Sequence, residues 1–406
     1  MPRKSLRLLL DQPACDPAIW PLDERTIFLN HGSFGSCPKQ VLDFQRRIRD
    51  RFERRPIQFF VRDLETLLDG ARTVLAGFLG SASEDIVFVP NATAGVNTVL
   101  RSLRFRRGDE LLVTDHEYNA CRNALDFVAD RSGARIVVAR VPFPLRSQKL
   151  VTDAILGCVT GHTRLALLDH VTSQTGLVMP VRELAENLQR HGVETLIDGA
   201  HAPGMVPLDL RELGATYYTG NCHKWICAPK GAGFLYVRRD RQKLIRPLSI
   251  SHGANSPRTD RSRYLIEFGW TGTWDPSACL SVPEALRMMG SLRPGGWPAV
   301  MERNRRLALA ARDQICNALR IEAPCPDEMI GSLVSLPLPD GSTACSSKSP
   351  LYLDPLQDRL LKEFRIEVPV IPWPAPPKRL LRISAQLYNT LPQYRLLARA
   401  LKHQFR

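Results

Sequence analysis

The chain has 406 residues, of which 44% are hydrophobic and 24% charged. That balance is globular and excludes a disordered or fibrous build, and the length suits two or three domains of about 100–200 residues. The net charge is +14. A positive field of that size favours acidic small molecules, and it favours nucleic acid where the basic residues form one footprint.

From the N-terminus, MPRKSLRLLLDQPACD carries basic residues and a short Leu run. It lacks the long apolar stretch and small-residue cleavage site of a secretory signal. Residues 1–60 are irregular and then hold an Arg-rich helix with Arg46, Arg47, Arg49, Arg51, Arg54 and Arg55. No zinc-finger or RNP-like motif accompanies it, so a solvated basic face is the preferred reading and no specific nucleic-acid partner is expected. No apolar run reaches the roughly 18 residues of a membrane span, so no membrane partner is expected either. The chain has ten cysteines, and no second pair joins Cys222 and Cys227 to complete a zinc set. Reduced thiols, a cytoplasmic location and no metal follow.

From about residue 85 the chain alternates apolar, β-branched runs with helical periods. Strands are predicted at 86–90 (IVFVP), 110–114 (ELLVT), 134–141, 164–169 (RLALLD), 193–198 (VETLID) and 231–238, with helices at 94–103, 119–130 and 181–191. Near-continuous apolar strands separated by helices mean a buried parallel sheet with helices on both faces. After about 265 the pattern returns to helices (283–292, 297–319) and shorter strands, a smaller α+β unit. Residues 337–355 read as an exposed loop, and the five prolines of 369–377 (PVIPWPAPP) as an extended segment.

Polar residues gather at the carboxyl ends of the strands, where open α/β sheets bind ligands. Asn91-Ala92-Thr93-Ala94-Gly95 opens a helix, and a helix N-terminus suits a phosphate; the blander reading is an ordinary helix cap. Asp198 ends the strand VETLID, and taken alone is a turn residue before Gly199. Lys224 lies in Asn221-Cys222-His223-Lys224-Trp225 with few other charges nearby; a desolvated lysine can be a neutral amine nucleophile that forms a Schiff base. A phosphate cradle, a strand-end Asp and a downstream Lys together form the equipment that pyridoxal phosphate (PLP) requires.

The chain resembles the class V aminotransferase family of fold type I PLP enzymes, within it the isopenicillin N epimerase-like branch. The resemblance rests on LNHGSFGSCP (29–38), NATAGVN (91–97), DHEYNA (115–120), HVTSQTGLVMPV (170–181), IDGAHAPG (197–204), YYTGNCHKWICAPKGAGFL (217–235), WTGTWDPSA (270–278) and RLLRISAQLYN (379–389). It implies a large domain at 56–265 with a mostly parallel seven-stranded sheet, and a small α+β domain at 266–406. Residues 1–55 would join the small domain and line the cleft. It implies that Lys224 carries the cofactor and moves the α-proton, that Asp198 pairs with the ring nitrogen, and that His201 and Ser173 lie near the phenolic oxygen. Tyr118 would stack on the ring, with His116 as the alternative. Ala92, Thr93, Asn221 and His223 would hold the phosphate, and Thr273 would reach the phosphate of a neighbouring subunit in a homodimer with shared active sites. Arg382 would anchor the substrate carboxylate, with Asn30 and His31 beside it.

The resemblance implies an enzyme acting at the α-carbon of an amino acid, by epimerisation or by β- or γ-elimination at a bond such as C–S. Branch members serve secondary-metabolite and sulfur pathways. A cysteine desulfurase needs a mobile-loop cysteine near the C-terminal part; the matching stretch has none, and Cys345 is the one substitute. An aminotransferase, or a non-catalytic binding protein of the same fold, is also compatible with these motifs. Epimerisation through two bases would need an acid opposite Lys224, and Tyr118, His31 and His116 are the candidates.

Overall fold

The computed structural model describes residues 10–341 and 354–405. Among the described residues the strands are β1 (Ile27–Phe28), β2 (Ile86–Val89), β3 (Glu110–Thr114), β4 (Arg135–Ala139), β5 (Thr163–Asp169), β6 (Glu194–Gly199), β7 (Tyr217–Asn221), β8 (Gly233–Val237), β9 (Leu333–Leu338), β10 (Ile366–Glu367), β11 (Val370–Pro372) and β12 (Arg379–Ser384). β2 to β8 form one seven-stranded sheet in the order β2-β8-β7-β6-β5-β3-β4. β8 runs antiparallel to both its neighbours, and the other four pairings are parallel.

The strands are apolar throughout because both faces are covered. Leu111 and Val113 enter one core with Val96, Val99, Leu125 and Leu196. Leu112, between them, enters the other with Ala166, Leu168, Leu184 and Leu188. The helices Ala92–Ser102 and Asn119–Ser132 supply the first face, and Val181–Arg190 the second. These elements lie where the sequence pattern puts them. β7 has no such signature: Thr219, Gly220 and Asn221 make up more than half of it. It is a strand because β6 and β8 pair with both of its edges.

Three further strands form an antiparallel sheet in the order β11-β12-β9. Helices Gly296–Leu319 and Leu391–Gln404 share its core through Leu307, Ala311, Leu336, Leu381 and Leu397. The predicted loop at 337–355 is corrected at its start. Pro337 and Leu338 end β9, where Pro337 faces Leu380; a proline is tolerated there because β9 is an edge strand. Residues 342–353, with Cys345, lie outside the described residues. The extended reading of 369–377 agrees with β11.

The N-terminal segment ties the parts together. β1 pairs with β10, and the Ser384 N–H donates to the Leu29 carbonyl at 2.9 Å. The chain then turns onto the large sheet at Gly35, with φ +68°. A Cβ there would lie 2.2 Å from the His223 carbonyl oxygen and 3.1 Å from the Lys224 Cα. The Arg-rich helix is Lys39–Arg54, and three of its charges are paired: Arg46 with Asp43, Arg49 with Asp275 at 2.8 Å and Arg51 with Asp63 at 2.7 Å. Among the described residues no helix is long and apolar enough to cross a membrane.

Gly95 seats helix Ala92–Ser102 on β7: a Cβ would stand 2.0 Å from the Thr219 Oγ1. Gly95→Ala is therefore expected to cost about 1–3 kcal/mol by overpacking. A thermal melt checks this, and an unchanged Tm would show that the contact is not tight.

Candidate active site

A cavity of about 240 Å³ opens at the carboxyl ends of β5, β6 and β7. Its wall brings together Ser33, Phe34, Asn91, Ala92, Thr93, Tyr118, Asp169, Ser173, Asp198, Ala200, His201, Asn221, His223 and Lys224. In-register pairing of the parallel strands sets Asp169 beside Asp198, and Asp198 beside Thr219.

Lys224 follows β7 by one tight turn. Burial drives its amine down to about 7, with Arg382 acting in the same direction and Asp198 opposing. Its Nζ lies 2.9 Å from the His201 Nε2. The Trp225 indole N–H donates to the His201 Nδ1 at 3.5 Å, which places the single imidazole proton on Nε2, facing the amine. Burial holds the His201 ring neutral, well below the usual histidine range, and the Lys224 charge pushes the same way.

Asp198 is fixed from two sides: its Oδ1 accepts the Ala200 N–H at 2.8 Å and its Oδ2 accepts the Cys121 S–H at 3.1 Å. Burial raises its carboxyl, and these two hydrogen bonds pull it back. At the other end of the cavity the Asn91 side chain caps helix Ala92–Ser102 by accepting the Ala94 N–H at 2.9 Å. The cap and the anion cradle are thus compatible features of one turn. Asn221 Oδ1 accepts the Ala92 N–H at 2.8 Å, and the His223 Nδ1 lies 3.0 Å from the Ala232 carbonyl.

Five expected residues lie off this wall. His116 is enclosed by Thr175, the Val141 carbonyl, Phe143 and Trp373, so of the two residues expected to stack on the ring only Tyr118 lines the cavity. His31 is buried behind Lys224, with Nε2 3.1 Å from the Lys224 carbonyl and Nδ1 2.9 Å from the Tyr388 hydroxyl. Asn30 accepts the Ser33 hydroxyl at 2.6 Å. The segment LNHGSFG does reach the cavity, but through Ser33 and Phe34. Arg382 stands one layer back. It donates to the Ser173 carbonyl at 2.6 Å and the Ser33 Oγ at 2.7 Å, while its buried Nε has no partner. Thr273 is exposed and lies outside this cavity. Asp169 is a site residue that the sequence pattern did not single out, although a charged residue ending the apolar run RLALLD is a usable signal. Its Oδ2 is buried without a partner, and burial and then Glu117 hold its carboxyl well above the usual range.

The aminotransferase class-V family model matches residues 53–346. The chain belongs to the class-V aminotransferase family. It is 36% identical to isopenicillin N epimerase of Amycolatopsis lactamdurans, over 94% of this chain and 96% of that one. It is 32% identical to a probable chloroplastic L-cysteine desulfhydrase of Arabidopsis thaliana, over 92% and 82%. In structure it is similar to a C-DES mutant with glycine covalently linked to its PLP cofactor, at TM-score 0.77 and 23% identity, over 95% and 99%. The fold is fold type I, and the family is one of PLP-dependent enzymes. The cavity fits that group: a helix N-terminus at one end, a buried carboxylate at the other, and a desolvated amine between them.

In cofactor-free protein the Lys224 amine should acylate with a midpoint near pH 7, read by peptide mass spectrometry. Asp198 raises that amine's pKa, so Asp198→Asn should move the midpoint lower. A midpoint near that of a surface lysine, about 10, in both proteins would contradict the burial argument.

Proposed function

We propose that the chain acts at the α-carbon of an amino acid, with elimination of a side-chain substituent as its main outcome. Bound in this cavity, PLP would supply an electron sink that weakens the bonds to that carbon. Thr93 and the helix N-terminus, with Asn221 and His223, would hold its phosphate. Asp198 would hold the proton of its ring nitrogen, and Tyr118 would cover its face. Arg382 would take the substrate carboxylate with the donors that Ser33 and Ser173 now occupy, since a planar fork matches two carboxylate oxygens. The Lys224 amine, drawn down to about 7, is in large part neutral near neutral pH and able to take a proton at Nζ, and the His201 Nε2 keeps that nitrogen oriented.

One observation carries the choice of outcome. Of the three acids that could stand opposite Lys224, only Tyr118 reaches the wall, and burial raises its hydroxyl above the usual phenol range. Of these candidates and Lys224, only Lys224 exchanges a proton readily near neutral pH, which suits elimination. Epimerisation is the second reading, with Tyr118 as the opposite acid and the Amycolatopsis relative as its support. Persulfide transfer is disfavoured: no described cysteine lines the cavity, and the nearby Cys121 thiol is pushed well up by burial and Asp198.

We further propose a homodimer. Thr273 is exposed beside a groove lined by Phe60, Val61, His252, Trp270 and Trp274, which a second copy would cover, placing Thr273 at its phosphate. Sedimentation at the mass of one chain would contradict this. The described cysteines are free, in keeping with a reducing, cytoplasmic location, and secretion in oxidised form would contradict that. The reaction is tested by incubation with L- and D-amino acids in deuterated water. The expected result is α-keto acid, with sulfide from L-cysteine, and none from Lys224→Ala. α-Deuterated amino acid of both configurations without elimination would favour the epimerase reading instead.

A further inference from the structure

Behind the cavity floor lies a carboxyl that the proposed chemistry does not use. Glu117 lies in the turn between β3 and helix Asn119–Ser132, is 6% exposed, and does not line the cavity. A carboxyl oxygen of Glu117, the Cys121 Sγ and a carboxyl oxygen of Asp198 lie within 4.8 Å of one another. The Glu117 Oε1 accepts the Tyr118 N–H at 3.2 Å, and its Oε2 is buried with no partner. An ionised Glu117 could only accept hydrogen bonds. It would set a second anion beside Asp198 in a dry site, where neighbouring carboxyls do not both ionise. As an acid it is a donor, and the Asp198 carboxylate is an acceptor within 4.8 Å of it.

We propose that Glu117 is a neutral carboxylic acid that backs Asp198, a positioning residue whose proton, with the Cys121 S–H, keeps Asp198 the single anion at the ring-nitrogen end of the cavity. Asp198 on β6 acts against ionisation of Glu117, and a charge on Glu117 would act against ionisation of Asp169 at the end of β5. Arg122, on helix Asn119–Ser132, favours ionisation, and Lys224 faces the two aspartates. Burial and then Asp198 push the Glu117 carboxyl well above its ordinary 4.5. The inference deepens the reading of Asp198 given above, and its principal test uses cofactor-free protein, so its failure is distinct from a failure to bind PLP.

Unfolded, Glu117 ionises near 4.5; folded, it stays protonated. Its contribution to stability is thus full below that pH and is lost as pH rises toward the folded value. Glu117→Gln keeps the shape and a donor but cannot ionise. Melts of the apoproteins should coincide near about pH 4 and separate toward about pH 8, with the Gln variant higher by about 2–4 °C. A Gln variant at or below the parent near pH 8 would overturn the proposal. In PLP titrations Glu117→Gln should bind within about threefold of the parent, and Glu117→Ala about tenfold or more weakly. A Gln variant as weak as the Ala variant would also overturn it. Should the variants not fold, infrared spectra of the parent apoprotein in neutral deuterated buffer serve instead: neutral-carboxyl intensity of two groups, Asp169 and Glu117, is expected, and the intensity of one group or none overturns the proposal.

Discussion

The site depends on the cost of taking an ammonium group out of water. Lys224 has given up solvent without gaining a tight ion pair: its amine meets a neutral imidazole, and Arg382 adds a like charge. The amine answers by losing its proton near neutral pH. The rest of the arrangement preserves that condition. Gly35 lets the N-terminal segment press on the Lys224 backbone, and His31 and Trp225 fill the space behind it. The carboxylate that would otherwise pair with the amine is held by Ala200 and Cys121.

The same desolvation makes the cavity asymmetric. Its sheet end gathers Asp169 and Asp198 with Glu117 behind them, and its helix end is a capped N-terminus. A ligand with a basic ring at one end and an anionic tail at the other is bound in a single orientation by such a field. In that orientation a bound cofactor would present its reactive carbon to Lys224, so geometry and electrostatics would favour the same pose.

Much of this was legible in the sequence because it rests on local pattern. Buried parallel strands read as apolar runs, and the residues at their carboxyl ends, Asp198 above all, stand out against them. β7 was not legible as a strand, since its residues are chosen for close approach to helix Ala92–Ser102 rather than for β propensity. The sequence motifs of His31 and His116 reach the cavity, so the motifs alone point both side chains to it. Only the fold shows that His31 faces the back of Lys224 and that His116 packs against Trp373. Glu117 carries no sequence signal of its role, because that role arises from its distance to a residue on another strand.

The central claim is that one buried amine, that of Lys224, holds the cofactor's carbon opposite Asp198. Borohydride treatment of the PLP-loaded protein followed by peptide mass mapping tests it most directly. The account predicts the reduced cofactor fixed on the peptide containing Lys224 and on no other lysine. Cofactor fixed on a different lysine, or a loaded protein that borohydride leaves unmodified, would contradict it.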